Sequence, residues 1–142
     1  MKPDPLAGLA GDVDTPFIGS LIGEFEPDIF FCGNRFCAYL NSFDYVDVAT
    51  YTTSKSKYGC PLKNLRRLIY GVKQVKTNAK PKEKKFVLNN HSKIFLAYSD
   101  GRLKEVYIGS QNLTYGTNFN LMYRVQPKHR QVFVDLFNQM WR

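Results

Sequence analysis

The dipeptide Asp100-Gly101 is the strongest structural constraint in this chain, because it lies between two apolar runs with strand composition. Asp-Gly is the residue pair that tight two-residue β-hairpins favour. The sequence therefore predicts a hairpin whose strands cover about residues 86–98 and 103–109. A turn centred on this pair would place His91 opposite Ser110, and Lys93 opposite Ile108.

The remaining elements follow from hydrophobic periodicity and from residue type. Strands are expected at 28–33, 45–53 and 119–125, and helices at 36–43, 61–72 and 128–141. In the segment 61–72, five apolar residues recur at helical spacing after a proline suited to a first helical position. The segment 76–85, rich in lysine, is expected to be a loop. This order predicts an α/β or α+β layered fold, with a mixed sheet flanked by helices.

A length of 142 residues is typical of one domain with one core, so 1–142 is taken as a single domain. Residues 1–27 are broken up by glycine and proline, and are expected to form an arm or a dimer-contacting segment. No apolar run reaches the length of a membrane span. The N-terminal stretch lacks the basic start and apolar core of a secretory signal, which favours a cytoplasmic location. Three cysteines without Cys-x-x-Cys spacing indicate reduced thiols rather than disulfides or a metal site.

The charge is divided unevenly along the chain, although the total is +8. Residues 1–47 hold eight acidic and two basic residues, a net charge of −6, and residues 48–142 hold eighteen basic and four acidic residues, a net charge of +14. Such concentration favours a polyanionic partner, nucleic acid or an anionic membrane, over a merely solubilising surface. The basic residues expected to hold phosphates are Arg66, Arg67, Lys82, Lys84 and Lys85.

Four polar side chains are expected to converge at the end of the hairpin: His91, Lys93, Ser110 and Asn112. An imidazole can serve as a nucleophile or general base near neutral pH, and an ammonium can neutralise a phosphoryl oxygen. A hydroxyl and a carboxamide can hydrogen-bond to the remaining oxygens. This combination suits phosphoryl transfer, and the residues nearby offer no metal-ligand spacing.

The motifs His91-Ser92-Lys93 and Gly109-Ser110-Gln111-Asn112 resemble the His-x-Lys and Gly-Ser-x-Asn signature of the phospholipase D superfamily. The arrangement is most similar to its short, single-motif nucleases and to the phospholipase D-like restriction endonucleases. The resemblance implies a phospholipase D-like half-domain that cleaves phosphodiesters without a metal or other cofactor. It also implies a homodimer in which one His forms a phosphohistidine and the other protonates the leaving oxygen.

Two positions depart from the signature. Tyr98 occupies the place of the usual Asp, and Asn118-Phe119-Asn120 occupies the place of an Asn-x-Glu segment. Asn118, Asn120 and Asp47 are therefore the candidate supporting residues, with Asp47 as a substitute acid. Three functions are kept open: a nuclease acting on DNA or RNA, a nucleic-acid-binding or dimerisation module with weakened catalysis, and a phospholipid phosphodiesterase. The last ranks lowest, since no second motif or membrane-binding surface is evident.

Overall fold

The computed structural model describes residues 26–30, 33–53, 62–73, 80–110, 112–113 and 120–142. Seven strands in this part of the chain form one mixed sheet with the order β1-β7-β6-β5-β2-β3-β4. The strands are β1 (Glu26–Phe30), β2 (Tyr45–Thr50), β3 (Leu65–Tyr70), β4 (Glu83–Phe86), β5 (Ile94–Ser99), β6 (Arg102–Gly109) and β7 (Asn120–Arg124). The helices are α1 (Gly33–Leu40) and α2 (Arg130–Trp141), and a 3₁₀ turn covers Pro127–His129.

The mixed, helix-flanked sheet expected from the sequence is confirmed. Strands β2, β3 and β4 run parallel to one another, and β2, β5, β6 and β7 pair antiparallel in turn. One core cluster packs α1 against one face of the sheet through Phe36, Cys37 and Leu40. A second cluster packs α2 against the other face through Phe133 and Phe137. Among the described residues, no helix is long and apolar enough to cross a membrane.

The helix expected over 61–72 is wrong, because residues Leu65–Tyr70 form strand β3. The register with β2 advances two residues on β3 where β2 advances one, so β3 contains a β-bulge at Arg66. The bulge brings Leu65 and Leu68 onto the α1 face, while Ile69 lies on the α2 face. A strand with one extra residue thus reproduces the i, i+3 spacing of apolar residues that normally indicates a helix.

The described part of the lysine-rich segment, residues 80–85, also differs from the prediction. A loop was predicted over 76–85, but β4 begins at Glu83 and pairs with β3. Strand β4 lies at one end of the sheet order and carries exposed Lys84 and half-buried Lys85. The first strand of the hairpin is correspondingly shorter than predicted, since β5 begins only at Ile94.

The hairpin turn itself is confirmed. Asp100 and Gly101 both have positive φ angles, 55° and 70°, as a type I′ turn requires. Ser99 pairs with Arg102 as predicted, but a register shift follows between Ala97 and Tyr98. That shift decides how the residues of the two sequence motifs meet.

Candidate functional site

The direct pairing of His91 with Ser110 is wrong. Beyond the register shift, Ile94 rather than Lys93 pairs with Ile108. Continuing this register places Lys93 opposite Gly109, and His91 precedes the paired part of β5 altogether. The extra residue on β6, Lys104, is the reason.

His91 instead meets the end of β2. Its imidazole stacks on the ring of Tyr51, with the ring centroids 4.0 Å apart and the planes inclined by 11°. His91 is exposed and Tyr51 is half-buried. The phenol ring therefore supports one face of an imidazole whose nitrogens can be reached from solvent.

Lys93 is held against the backbone of His91. Its Nζ donates a hydrogen bond of 2.8 Å to the backbone oxygen of His91. Partial burial lowers the pKa of Lys93, because desolvation disfavours the ammonium. A partly desolvated cation is well suited to pairing with a phosphate oxygen, since the anion replaces some of the lost hydration.

The segment that carries His91 and Lys93 is fixed by the residues between and before them. The Nδ2 of buried Asn90 donates to the backbone oxygen of Thr50 at 3.2 Å. The backbone nitrogen of Ser92 donates to Asn90 Oδ1 at 3.2 Å, and its hydroxyl bonds to the same oxygen. At Gly71, an added Cβ would lie 2.2 Å from the oxygen of Asn90, so only glycine permits this close approach.

Asn112, the last residue of the Gly-Ser-x-Asn motif, contacts the same end of β2. Its Oδ1 accepts hydrogen bonds from Thr50 Oγ1, Tyr51 N and Thr52 N, at 3.1, 3.1 and 3.3 Å. The carboxamide that was expected to hydrogen-bond to phosphoryl oxygens therefore uses its oxygen to hold the backbone of the segment that supports His91. His91, Lys93 and Asn112 converge, but they do so through Thr50 and Tyr51 rather than across the hairpin.

Ser110 is placed by β7. It is exposed, its backbone nitrogen donates to the oxygen of Leu121 at 3.0 Å, and its hydroxyl accepts from Leu121 N at 3.1 Å. The preceding Gly109 permits this approach, because an added Cβ would lie 2.1 Å from the same Leu121 oxygen. Ser110 is the next residue after the last pair of β6 and β7, Gly109 with Met122, so this pairing determines its position.

Asp47 is committed to two arginines. Its carboxylate is fully buried and hydrogen-bonds to Arg66 Nε at 2.8 Å and to Arg67 Nε at 3.0 Å. The Nη2 atoms of both arginines also donate to Oδ2. Among the described residues, no carboxylate hydrogen-bonds to the imidazole of His91. The idea that Asp47 substitutes for the missing motif acid therefore finds no support in these contacts.

The basic residues expected to hold phosphates differ in whether their side chains are bonded to other groups of the protein. Arg66 and Arg67 pair with Asp47, and Lys85 donates through Nζ to the backbone oxygen of Trp141 at 3.0 Å. Lys82 and Lys84 are exposed. The hydrogen bond to Asp47 raises the pKa of Arg66, so this guanidinium stays charged at any physiological pH.

The remaining supporting residues lie where less is described. Asn118 falls outside the described residues, and Asn120 is the first residue of β7, where its backbone pairs with Phe30. Tyr51, Thr50 and Asn90 complete the cluster but were not singled out from the sequence. The one sequence feature that could have identified Tyr51 is its place as an aromatic residue directly after the buried strand β2. That it supports the motif His is visible only in the fold.

Among the described residues, no three His, Cys, Asp or Glu side chains lie together in a way that could hold a metal ion. In comparisons with known proteins, no protein-family model, curated protein or solved structure matches the chain.

Proposed function

We propose that this protein is a metal-independent phosphodiesterase that cleaves DNA or RNA, with His91 as the nucleophile. The observation that carries the proposal is the exposed imidazole of His91, stacked on Tyr51, with the partly desolvated Lys93 bonded to the backbone oxygen of the same histidine. An oriented nucleophile next to a cation is what attack on a phosphodiester needs. The net charge of +14 over residues 48–142 supplies attraction for a polyanion.

In the proposed reaction, a ring nitrogen of His91 attacks phosphorus, a P–N bond forms and the P–O bond to the leaving group breaks. Lys93 neutralises charge on the phosphoryl oxygens, and Ser110 hydrogen-bonds to one of them. The leaving oxygen takes a proton from the partner subunit's His91. Water then attacks the phosphohistidine and gives its proton to the partner subunit's His91, the P–N bond breaks, and the free imidazole of His91 re-forms. One copy of the motif per chain makes a homodimer part of the proposal.

Cleavage of supercoiled plasmid and of end-labelled DNA and RNA oligonucleotides in EDTA tests this proposal. Wild type should cut at least one substrate, and His91→Ala should lose at least about 10³-fold in rate. Lys104→Ala is a matched surface control, because Lys104 is exposed on β6 away from the cluster. A covalent adduct that survives alkali but not acid should form with wild type alone. Equal cleavage by wild type and His91→Ala would refute the assignment.

A second candidate is a nucleic-acid-binding module of the same fold without turnover. It is favoured by one observation: no carboxylate of the described residues orients His91, while Asp47 is occupied by Arg66 and Arg67. An imidazole without such a partner lacks a fixed tautomer. Salt-sensitive binding that survives His91→Ala, with no cleavage by wild type on any substrate, would select this candidate.

A further inference from the structure

A cleft opens between the first residues of β3 and β4 and the last turn of α2. It is lined by Arg66, Arg67, Lys82, Glu83 and Trp141. The cleft lies at the beginning of β3, whereas His91 lies near its end, where Gly71 contacts Tyr51 through a backbone hydrogen bond of 3.0 Å. It is therefore a different place from the cluster around His91.

The two arginines of the cleft are held rigidly. Arg66 lies over the rings of Tyr45 and Tyr98, at 4.4 and 5.0 Å from their centroids. Arg67 lies over Phe137 and Trp141, at 4.8 and 5.4 Å. Both are further fixed by the buried carboxylate between them. Ordered side chains lose little conformational entropy when an anion binds, so these guanidinium groups are preorganised ligands.

The charges of the cleft do not cancel. One carboxylate, Asp47, serves two guanidinium groups, and the lining adds one cation, Lys82, and one anion, Glu83, which leaves one net positive charge. Arg66 uses Nε and Nη2 on Asp47, and the described residues provide no acceptor for its Nη1. The guanidinium edge that Asp47 does not use is available to a second anion.

Helix α2 connects the cleft with the segment of His91. The hydroxyl oxygen of Ser92 lies 3.8 Å from the sulfur of Met140. The next residue of α2, Trp141, lines the cleft. Gly71 lies four positions after Arg67, just past the end of β3, which corresponds to about 13 Å along a strand. That distance corresponds to about four nucleotides at the axial rise of roughly 3.4 Å in one strand of B-DNA, and to fewer in a more extended single strand.

We infer that this cleft binds a phosphate of a nucleic-acid strand a few nucleotides from the phosphodiester at His91. The inference rests on the proposed function for the position of the second phosphate, and it names the substrate class as oligonucleotides rather than small phosphodiesters. Arg66 and Lys82 contact the phosphate, and Trp141 lies beside the bound strand.

The only tryptophan of the chain provides the probe, since Trp141 lines the cleft. The His91→Ala protein, which cannot cleave by the proposed route, is titrated with oligothymidylates of increasing length. Selective tryptophan emission and fluorescence anisotropy of the labelled strand are followed together. Emission should change on binding, and affinity should rise with length over the first few nucleotides and then level off. A dinucleotide that binds as tightly as an octanucleotide would overturn the inference.

Two charge reversals separate the cleft from general basicity. Lys82→Glu in the same protein should weaken octanucleotide binding by about tenfold at low salt and lower the slope of log affinity against log salt by about 0.7 or more. Lys104→Glu makes the same change in net charge three strands away from β3, and should weaken binding by less than about twofold. Arg66→Lys keeps the charge but not the fork, and should also weaken binding.

The outcomes separate this inference from the proposed function. Equal losses for Lys82→Glu and Lys104→Glu, or tryptophan emission that stays constant while anisotropy saturates, would overturn the cleft and leave cleavage by wild type untouched. Failure of wild type to cleave any substrate would overturn the nuclease and leave these binding measurements standing.

Discussion

Arg67 donates three hydrogen bonds to the carboxylate of Asp47, from its backbone nitrogen, Nε and Nη2, at 3.2, 3.0 and 2.6 Å. The carboxylate has no exposed surface, while its two arginine partners remain partly exposed. A buried acid in a basic domain thus organises the cations around it. Its removal leaves positive charge without compensation at the sheet surface.

Asp47→Asn should therefore lower the free energy of unfolding by about 3–5 kcal/mol, measured by urea denaturation. Asp135→Asn is the matched control, because this exposed carboxylate lies on α2 and should change stability by less than about 0.5 kcal/mol. An Asp47→Asn protein within about 1 kcal/mol of wild type would show that Arg66 and Arg67 do not depend on Asp47.

Tyr51 should determine the position of the His91 ring. Stacking at 4.0 Å predicts that the ring current of Tyr51 shifts the imidazole protons upfield. Tyr51→Phe should preserve that shift, and Tyr51→Ala should abolish it and lower cleavage by about tenfold or more, because the nucleophile loses its support. Proton NMR of the imidazole checks the geometry independently of activity. Unchanged imidazole shifts in Tyr51→Ala would contradict the stack.

Lys93 should lower the stability of the folded protein and, at the same time, strengthen its binding of oligonucleotides. Desolvation lowers its pKa, so the unfolded chain binds more protons than the folded one just below the usual lysine pKa, and stability rises with pH in that window. Lys93→Met should remove this rise and stabilise the protein near neutral pH by less than about 1 kcal/mol, because solvent screens the ammonium. Oligonucleotide binding should weaken in the same variant.

Thermal unfolding across this pH window and anisotropy titrations measure the two effects of Lys93→Met separately. A variant that is both less stable and fully competent to bind would assign Lys93 a purely structural role. Lys104→Met is the control for removing an exposed lysine.

Two substitutions of Asn112 should separate its effect on stability from its effect on phosphate binding. Asn112→Ala leaves the donors of Thr50, Tyr51 and Thr52 without their common acceptor and should cost about 1–3 kcal/mol. Asn112→Asp keeps an oxygen in that place, so stability should be largely retained, while like charge repels a phosphate and slows cleavage. Urea denaturation and cleavage rates report these effects. Equal destabilisation by Ala and Asp would contradict the acceptor role.

The sequence predicted those elements whose local pattern and turn chemistry agree. Asp100-Gly101 defined the hairpin, and the amphipathic pattern of 128–141 defined α2, because each signal is contained in a few neighbouring residues. Strand β3 was mistaken for a helix because its bulge disturbs the two-residue alternation, and only pairing with β2 reveals the bulge. Pairing is a property of the fold and is not encoded in one segment.

The candidate site shows the same division. The motif residues His91, Lys93, Ser110 and Asn112 were expected to meet across the hairpin, but the register is shifted by one residue. His91 and Asn112 both contact Tyr51, Lys93 bonds to the backbone of His91, and Ser110 bonds to Leu121. Tyr51 and Asn90, which hold the cluster together, carry no motif of their own. Their roles depend on the end of β2 lying beside two loops that are distant in sequence, which no spacing rule describes.

The position of β4 at the end of the sheet has a consequence for work with this protein in solution. No strand among the described residues pairs with its outer edge, and charged side chains such as Lys84 discourage pairing with a strand from another chain. The same group of lysines is thus proposed to contact phosphate and to protect the sheet edge against aggregation. Variants that remove these charges need a check of colloidal behaviour, by light scattering, before weakened binding is attributed to the cleft.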